Sequence, residues 1–556
     1  MPAAAHGEEP MLGRMQHEPL RIGALLEHAA RLHREARIVT QRRDGSTVTH
    51  SYPEIAARTA RLAHALTARG GAQGERLATL AWNDHRHLEL YYGVSGIGAV
   101  CHTVNPRLFP HQIAYILADA GDTHLFLDPM FLPILAGIGD RLPELRTLVL
   151  LEPPADPVAP ALAARFEILD YENLIAGHAD AFDWPALDEN TAAFLCYSSG
   201  TTGEPKGVLT SHRSTLLHAY AANQPDAFCL RATDTAMPVV PMFHVNAWGI
   251  PFVAPLAGAS LVLPGPRLDG ASLFRLIEAT GVTFSAGVPT IWLGLLAHLR
   301  ESGGRFTRPP RLVIGGSACP LPLIEAFERD YGVEIGHAWG MTETSPIGLF
   351  NAPKPETLAQ SEAEQRALKR KQGRAIPGIR LRIADAEGRD VPADGVAFGE
   401  ILVRGPWVAA AYFGRDGDPA FTPDGWFRTG DVATIDGSGY VEIVDRAKDV
   451  IKSGGEWISS IALENIALGH PKLREAAVIG ARHPKWDERP VLIAVPAEGT
   501  APTRDEILGW FDGKVAKWWR PDDVVFVDEL PHTATGKLLK TELRKRYRDH
   551  LAGEAG

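Results

Sequence analysis

Short apolar runs that stop abruptly at small or hydroxyl-bearing residues, each followed by a stretch with helical spacing, constrain this chain more than any other feature. AAFLC (Ala192 to Cys196) runs into a Ser/Gly/Thr loop, VTFSAG (Val282 to Gly287) into VPT, RLVI (Arg311 to Ile314) into GGSACP, and the stretch from Glu334 to Ala338 into WGMTET. Between them, ASLFRLIEATG and LPLIEAFERDYG carry apolar residues at helical intervals. Strand, loop and helix in repetition predict an α/β architecture with mainly parallel sheets flanked by helices. Ligands of such sheets gather beyond the carboxyl ends of the strands. Loops far apart in sequence are therefore expected to line one crevice.

A chain of 556 residues needs more than one core. Near Gly399 the texture changes: GEILVRG and ATIDGSGYVEIV read as antiparallel strands, the latter folded at Asp436-Gly437-Ser438-Gly439. DRAKD follows, and after it a compact mixed segment with two apolar strands, REAAVIGA and PVLIAVPA. A domain boundary is placed at Asp445 to Lys448. The charged stretch from Pro353 to Lys371 reads as a solvent-facing helix between loops. From Thr235 to Pro266 the only ionisable side chain is His244, but five prolines interrupt the segment, so buried strands with loops are expected there rather than a membrane span.

Composition excludes several classes. A net charge of -11 argues against general affinity for nucleic acid or anionic membrane. The four cysteines, Cys101, Cys196, Cys229 and Cys319, form no CxxC pair, so neither a disulfide framework nor a zinc site is expected and a reducing cytosol fits best. The first residues lack the apolar core of a signal peptide, so export is not indicated and a cytoplasmic location is expected.

The stretch YSSGTTGEPKGV (Tyr197 to Val208) combines glycines, hydroxyls and a lysine suited to a phosphate. It is not the G-x-x-x-x-G-K-[ST] loop, because Lys206 precedes Gly207 and Val208 stands where a metal-binding hydroxyl would be needed. Converging backbone N–H groups would make it an anion nest. A surface connection fits the same composition.

With TVNPRLFP (Thr103 to Pro110), PMFHVNAWG (Pro241 to Gly249), HAWGMTET (His337 to Thr344), WFRTGD (Trp426 to Asp431), DRAKDVIKSGGEWIS (Asp445 to Ser459) and PHTATGKLLK (Pro531 to Lys540), that loop resembles the adenylate-forming family of acyl-CoA synthetases, adenylation domains and luciferases. The motifs occur in family order over nearly the whole chain. The resemblance implies a large N-terminal domain (1–445) of several subdomains, including a small β-barrel-like part, a hinge at 446–448 centred on Lys448, and a mobile α+β C-terminal domain (449–556). It implies that Ser198, Ser199, Gly200, Thr201, Thr202, Gly203 and Lys206 close over the outer phosphates of ATP. Glu343 and Thr201 would hold Mg2+, a hard cation that takes oxygen ligands, with Thr342 near the α-phosphate. Gly315, Gly316, Ser317 and Ala318, with Ala338, Trp339, Gly340 and Met341, would border adenine. Asp431 would accept from both ribose hydroxyls, with Arg446 beside it. Each of these residues taken alone also fits an ordinary turn or surface role.

By the same resemblance Lys537 bridges the α-phosphate and the attacking carboxylate. Two anions repel each other, and one such preorganised donor is worth about 3–4 kcal/mol in the transition state. His244, Val245, Trp248 and Val288 would form the acyl pocket, His244 as wall or gate rather than general base; Trp292 and Ile347 extend the apolar set. Gly454, Gly455 and Glu456 would face coenzyme A, with Arg474 and Lys485 as candidates for its phosphates. No protein nucleophile is required. The segments from Met237 to Gly265 and Gly287 to Leu296 contain no Asp or Glu to pair with an ammonium group, so an apolar acid is expected rather than an amino acid. A fatty acid of medium or long chain comes first, a short thioether acid such as methylthiopropionate second, an aryl acid third. A ligase that loads a carrier protein and a silent scaffold are the rival classes, and a homodimer is one expected assembly.

Overall fold

The computed structural model describes residues 13–198, 204–317, 319–385, 387–454, 456–532 and 538–552, with backbone alone at 456 and 457. Ser199, Gly200, Thr201, Thr202, Gly203, Ala318, Gly455 and Lys537 lie outside the described residues.

The predicted strand–loop–helix units form two large sheets. The nine-stranded sheet runs Arg374–Ala375, Ile347–Phe350, Glu334–Gly340, Arg311–Ile314, Phe284–Gly287, Thr235–Pro238, Ser260–Leu263, Arg37–Gln41, Thr47–Ser51. Its inner pairs, from Glu334–Gly340 across to Arg37–Gln41, are parallel. The seven-stranded sheet runs Glu167–Asp170, Thr147–Leu150, His124–Leu127, Arg76–Leu80, Val100–Thr103, Ala192–Tyr197, Gly207–Ser211, parallel except for the last pair. The expected barrel-like part is a four-stranded antiparallel sheet, Arg380–Ala384, Phe398–Arg404, Phe427–Ile435, Val441–Arg446. A five-stranded sheet beyond Lys448 contains the long antiparallel pair Leu473–His483 and Asp487–Pro496.

Between the large sheets lies helix His85–Gly96, buried from His85 to Ser95. Its Tyr91 ring meets Phe194 at 4.9 Å and Phe252 at 5.8 Å, so both sheets share one aromatic core. The same helix end satisfies a buried stretch of irregular backbone. Asn83 donates to the carbonyls of Pro238 (2.8 Å) and Val240 (3.0 Å) and accepts from the N–H of Met242 (2.7 Å). The Tyr91 hydroxyl donates to the Met242 carbonyl. Buried backbone groups need such partners.

The segment from Thr235 to Pro266 departs from expectation in its middle. Strands stand at both ends, but Ile250–Ala257 is a buried helix, not a strand. Pro251 sits in its first turn, where no N–H is needed. Pro255 lies inside and cannot donate to the Pro251 carbonyl; the Tyr92 hydroxyl does so instead, at 2.8 Å. The charged stretch is not one helix but two, Pro355–Leu358 with Thr357 buried and Glu362–Arg370 with no buried residue, so the solvent-facing character expected of it holds for the longer one. Among the described residues no helix is long and apolar enough to cross a membrane.

Where strand ends of the two sheets meet there is a cavity of about 480 Å³, lined in part by Gln41, Trp82, Asp84, Asp128, Glu152 and Gly265. Asp128 accepts the Trp82 N–H at 2.8 Å, and burial, reinforced by Asp84 and Glu152, pushes its carboxyl up to about 7. The folded chain thus keeps a proton that the unfolded chain releases near pH ~4. Its stabilising contribution is full below pH ~4 and fades as pH rises to about 7. Asp128→Asn keeps an acceptor for Trp82 and removes the titration. Urea midpoints should show the variant gaining on the parent between pH ~4 and ~7; a constant difference would refute the assignment.

Candidate functional site

The strand Glu334–Gly340 brings Ala338, Trp339 and Gly340 to its carboxyl end, and the chain turns at Thr342–Thr344 before returning antiparallel as Ile347–Phe350. Gly340 is required there, because a Cβ would stand 1.9 Å from the Pro346 carbonyl oxygen. Met341 is half-buried, while Thr342 and Glu343 are buried, at 7% and 4% exposure. The Glu343 carboxylate accepts the Tyr412 hydroxyl at 2.9 Å, and its carbonyl accepts the Ala409 N–H at 2.8 Å. Burial holds the Glu343 carboxyl above the usual range, against the Tyr412 hydrogen bond and the charges of Arg446 and Lys206.

Asp431 lies opposite Arg446 in the antiparallel pair Phe427–Ile435 and Val441–Arg446. One of its oxygens accepts the Trp339 indole N–H at 2.8 Å, and the other meets Arg446 Nε at 2.8 Å. Trp339 therefore ties the nine-stranded sheet to the four-stranded one through the carboxylate expected at ribose. Both oxygens are thereby oriented, and each keeps a lone pair for a further donor.

The base of the glycine-rich loop is closed by the Ser198 N–H on the Lys206 carbonyl at 2.9 Å. Lys206 Nζ lies 2.6 Å from Asp418 and 4.6 Å from the centre of the Tyr412 ring. Tyr412 thus touches both Lys206 and Glu343. Neither Tyr412 nor Asp418 was anticipated; AAAYFGRDGDP has the turn dipeptides Asp416-Gly417 and Asp418-Pro419 but no periodicity, and a turn signal does not mark a side chain as part of a site.

The apolar side is built against glycines. A Cβ on Gly315 would meet the Ala338 carbonyl at 2.8 Å and Trp248 at 3.1 Å, and one on Gly316 would meet Val288 at 3.2 Å and Trp248 at 3.7 Å. Gly315, Gly316, Ala338, Trp248 and Val288 therefore form one wall, with Ser317 exposed beyond it. Half-buried His244 precedes the turn Val245–Gly249, whose residues Val245, Asn246, Ala247, Trp248 and Gly249 all have positive φ (44°, 52°, 50°, 56° and 80°). Asn246 within it accepts from the Cys196 thiol at 3.3 Å, and Cys196 also meets the Thr103 hydroxyl at 3.0 Å. The strand leading into the glycine-rich loop is thereby joined to the apolar wall. Buried His218, pushed down to about 3 by burial, accepts the Ile347 N–H at 3.1 Å.

One apolar candidate is corrected. Trp292 is fully buried in the core under the nine-stranded sheet with Leu273, Leu295 and Leu299. It belongs to the inward stripe of helix Pro289–Ser302 (Pro289, Trp292, Leu295, Leu296, Leu299), a spacing readable in advance. Around the linker, Ala447 and Lys448 are exposed, but Asp445 is 0% exposed, so the boundary has a buried anchor. Gly454 donates to the Trp486 carbonyl at 2.9 Å, and residue 456 begins strand Glu456–Ile458. Arg474 and Lys485 are exposed, Lys485 over the Trp486 ring.

Comparison with known proteins places this geometry. Residues 26–413 match the AMP-binding enzyme family, and residues 462–537 match the AMP-binding enzyme C-terminal domain. The chain is 52% identical over 543 residues to a 3-methylmercaptopropionyl-CoA ligase of Ruegeria lacuscaerulensis, covering 98% of this chain and 100% of that one. It is 50% identical over 542 residues to a medium-chain-fatty-acid–CoA ligase of Ectopseudomonas oleovorans, covering 97% and 98%. Among solved structures, the anthranilate CoA ligase AuaEII in complex with anthranoyl-AMP superposes with a TM-score of 0.82 at 25% identity, covering 96% of this chain and 99% of that one.

The close approach at Gly340 yields a sharp contrast. Gly340→Ala should lower unfolding stability by about 3 kcal/mol or more, because backbone must move. Gly437→Ala, where the nearest neighbour stands at 3.8 Å, should be nearly silent. Equal urea midpoints for the two variants would contradict the stated crowding.

Proposed function

The chain belongs to the AMP-binding enzymes and is an AMP-forming acyl-CoA synthetase, and from that premise we propose how its residues divide the work. The observation that carries the reading is the apolar wall of Trp248 and Val288 standing directly on Gly315, Gly316 and Ala338, beside the buried carboxylates of Asp431 and Glu343. An apolar acid lies against the wall with its carboxylate toward the α-phosphate of ATP. The carboxylate oxygen attacks the α-phosphorus and pyrophosphate leaves, giving the acyl-AMP mixed anhydride. The coenzyme A thiol then attacks the acyl carbon and AMP leaves.

Asp431, pre-aligned by Trp339 and Arg446, takes the ribose hydroxyls, and the backbone at 315–318 and 338–341 flanks adenine. Ser198 to Gly203 and Lys206 close on the outer phosphates, Lys206 exchanging Asp418 for phosphate. Glu343 fits a hard divalent cation: it is a buried carboxylate held by one hydroxyl. Among the described residues no three His, Cys, Asp or Glu side chains converge as a ready metal nest, which suits an ion that takes most of its ligands from phosphate and water. Glu343, with Thr201, would hold Mg2+, which offsets phosphate charge when bound; Thr342 points the same turn at the α-phosphate. Lys537 bridges the two anions during adenylation. The 446–448 linker lets the C-terminal part exchange the Lys537 loop for the loop of Gly454, Gly455 and Glu456, which faces coenzyme A. The enzyme works in the cytosol as a homodimer, an assembly that light scattering tests.

The acid is a fatty acid of medium or long chain. A second reading, a short thioether acid, is favoured by how closely Trp248 stands over Gly315 and by the substrate named for the Ruegeria relative. AMP production across a panel of acids separates them, and Trp248→Ala should shift that panel toward bulkier acids while leaving the apparent affinity for ATP within about threefold. An unchanged acid profile would remove Trp248 from the pocket.

Lys537→Ala should slow acyl-AMP formation by about 10²–10³-fold and spare thioester formation from supplied acyl-AMP. Equal loss in both half-reactions would strip Lys537 of its role.

A further inference from the structure

The chemistry above makes no use of Asp445, yet this carboxylate is fully buried one residue before Arg446. One of its oxygens accepts both the N–H (2.5 Å) and the hydroxyl (2.6 Å) of Ser460, on the far side of Lys448. Its other oxygen accepts the Arg446 N–H at 2.7 Å. Ser460 opens helix Ser460–Leu468, whose cap Ser459 also reaches back across the linker, donating to the Val444 carbonyl. The strand Val441–Arg446 and this helix are thus clasped on either side of an exposed pair, Ala447 and Lys448.

The clasp continues inward. The Ser460 hydroxyl, having given its proton to Asp445, accepts from Lys540 Nζ at 2.6 Å, and the same ammonium lies 2.7 Å from Glu464. Lys540 and Glu464 are both buried side chains, 9% and 12% exposed. One buried ammonium therefore serves a serine and a carboxylate, and through the serine a second carboxylate. Lys540 is also the first residue of the last helix, Lys540–Tyr547. The stem of the segment that carries Lys537 is closed just before it, by the bridge of His532 with Leu538 and by the Leu539 N–H on the Pro531 carbonyl at 2.8 Å.

A rotation about residues 446–448 must pull Ser460 away from Asp445. That would leave a desolvated carboxylate with only one of its three donors, the Arg446 N–H, a costly intermediate in a dry site, while Lys540 keeps Ser460 and Glu464, which lie on its own side of the linker. We propose that Asp445, Ser460 and Lys540 are positioning residues that latch the C-terminal part in the orientation seen here. The latch sets how the enzyme's time is divided between adenylation and thioester formation, and through Lys540 it registers the Lys537 loop against the linker. None of the three has a part in the chemistry proposed above. The proposal deepens the domain exchange put forward above and rests on it.

Ser460→Ala deletes the hydroxyl from the middle of the chain of contacts but keeps the N–H on Asp445; Ser460→Thr keeps both. In the full-length enzyme, Ser460→Ala should raise the rate of tryptic cleavage at Arg446 and Lys448 about tenfold, the weight of one charge-assisted hydrogen bond. The ratio of acyl-AMP formation to thioester formation from supplied acyl-AMP should shift by about the same factor. Ser460→Thr should restore both readouts toward the parent. Proportional changes in the two half-reactions, unchanged cleavage, or a threonine variant that behaves like alanine would each overturn the latch. Cleavage at the linker assumes nothing about Lys537. Faster cleavage in Ser460→Ala, even if Lys537→Ala leaves adenylation intact, keeps the latch and discards only the lysine's role.

Discussion

The site depends on one uncommon arrangement: backbone that is neither helix nor sheet runs through the middle of the protein, and side chains from a neighbouring helix and from the residue before its cap satisfy it. Asn83 engages Pro238, Val240 and Met242, and Tyr91 and Tyr92 engage Met242 and Pro251. An unpaired buried amide or carbonyl costs roughly 1–3 kcal/mol, so this stretch could not be enclosed without them. With them, the chain delivers His244, Val245 and Trp248 to the place where the two large sheets meet.

Onto that frame the carboxylates are placed with different partners. Asp431 is braced by an indole and a guanidinium, and Glu343 by a phenol in a drier place. In the roles proposed for them, carboxylates held this way need little further ordering to meet a nucleotide, which is the physical meaning of preorganisation. Tyr412 matters because it stands between Lys206 and Glu343, so the base of the glycine-rich loop and the acidic turn share a neighbour.

Much of this was legible in the sequence wherever local pattern and tertiary demand agree. AAFLC, RLVI and VTFSAG are strands because apolar runs of that length, ended by glycine or serine, have few other uses. Ile250–Ala257 misled because its internal proline is tolerated only through the Tyr92 hydroxyl, a contact some 160 residues away in sequence. Trp292 was readable as core from its helical stripe, but its place after VPT drew it toward the pocket. Tyr412, Asp418 and the Trp339–Asp431 bond are products of folding that leave no periodic trace. The linker was legible as polar chain; its buried anchor, Asp445, was not, because an aspartate in a charged run looks solvated.

The left-handed turn Val245–Gly249 has a consequence for how such an enzyme can diversify. Four side-chain-bearing residues held at φ 44–56° cost about 1–2 kcal/mol each, a sum comparable with the net stability of a whole domain. The surrounding packing, Trp248 included, and the hydrogen bond of Asn246 with Cys196 keep the turn wound. Mutational drift that trims the tryptophan loosens its own foundation, whereas Val288, on ordinary extended backbone at φ -83°, can change size without unwinding anything. With the acid lying against this wall as proposed, evolution toward new acids has its gentler slope on the valine side.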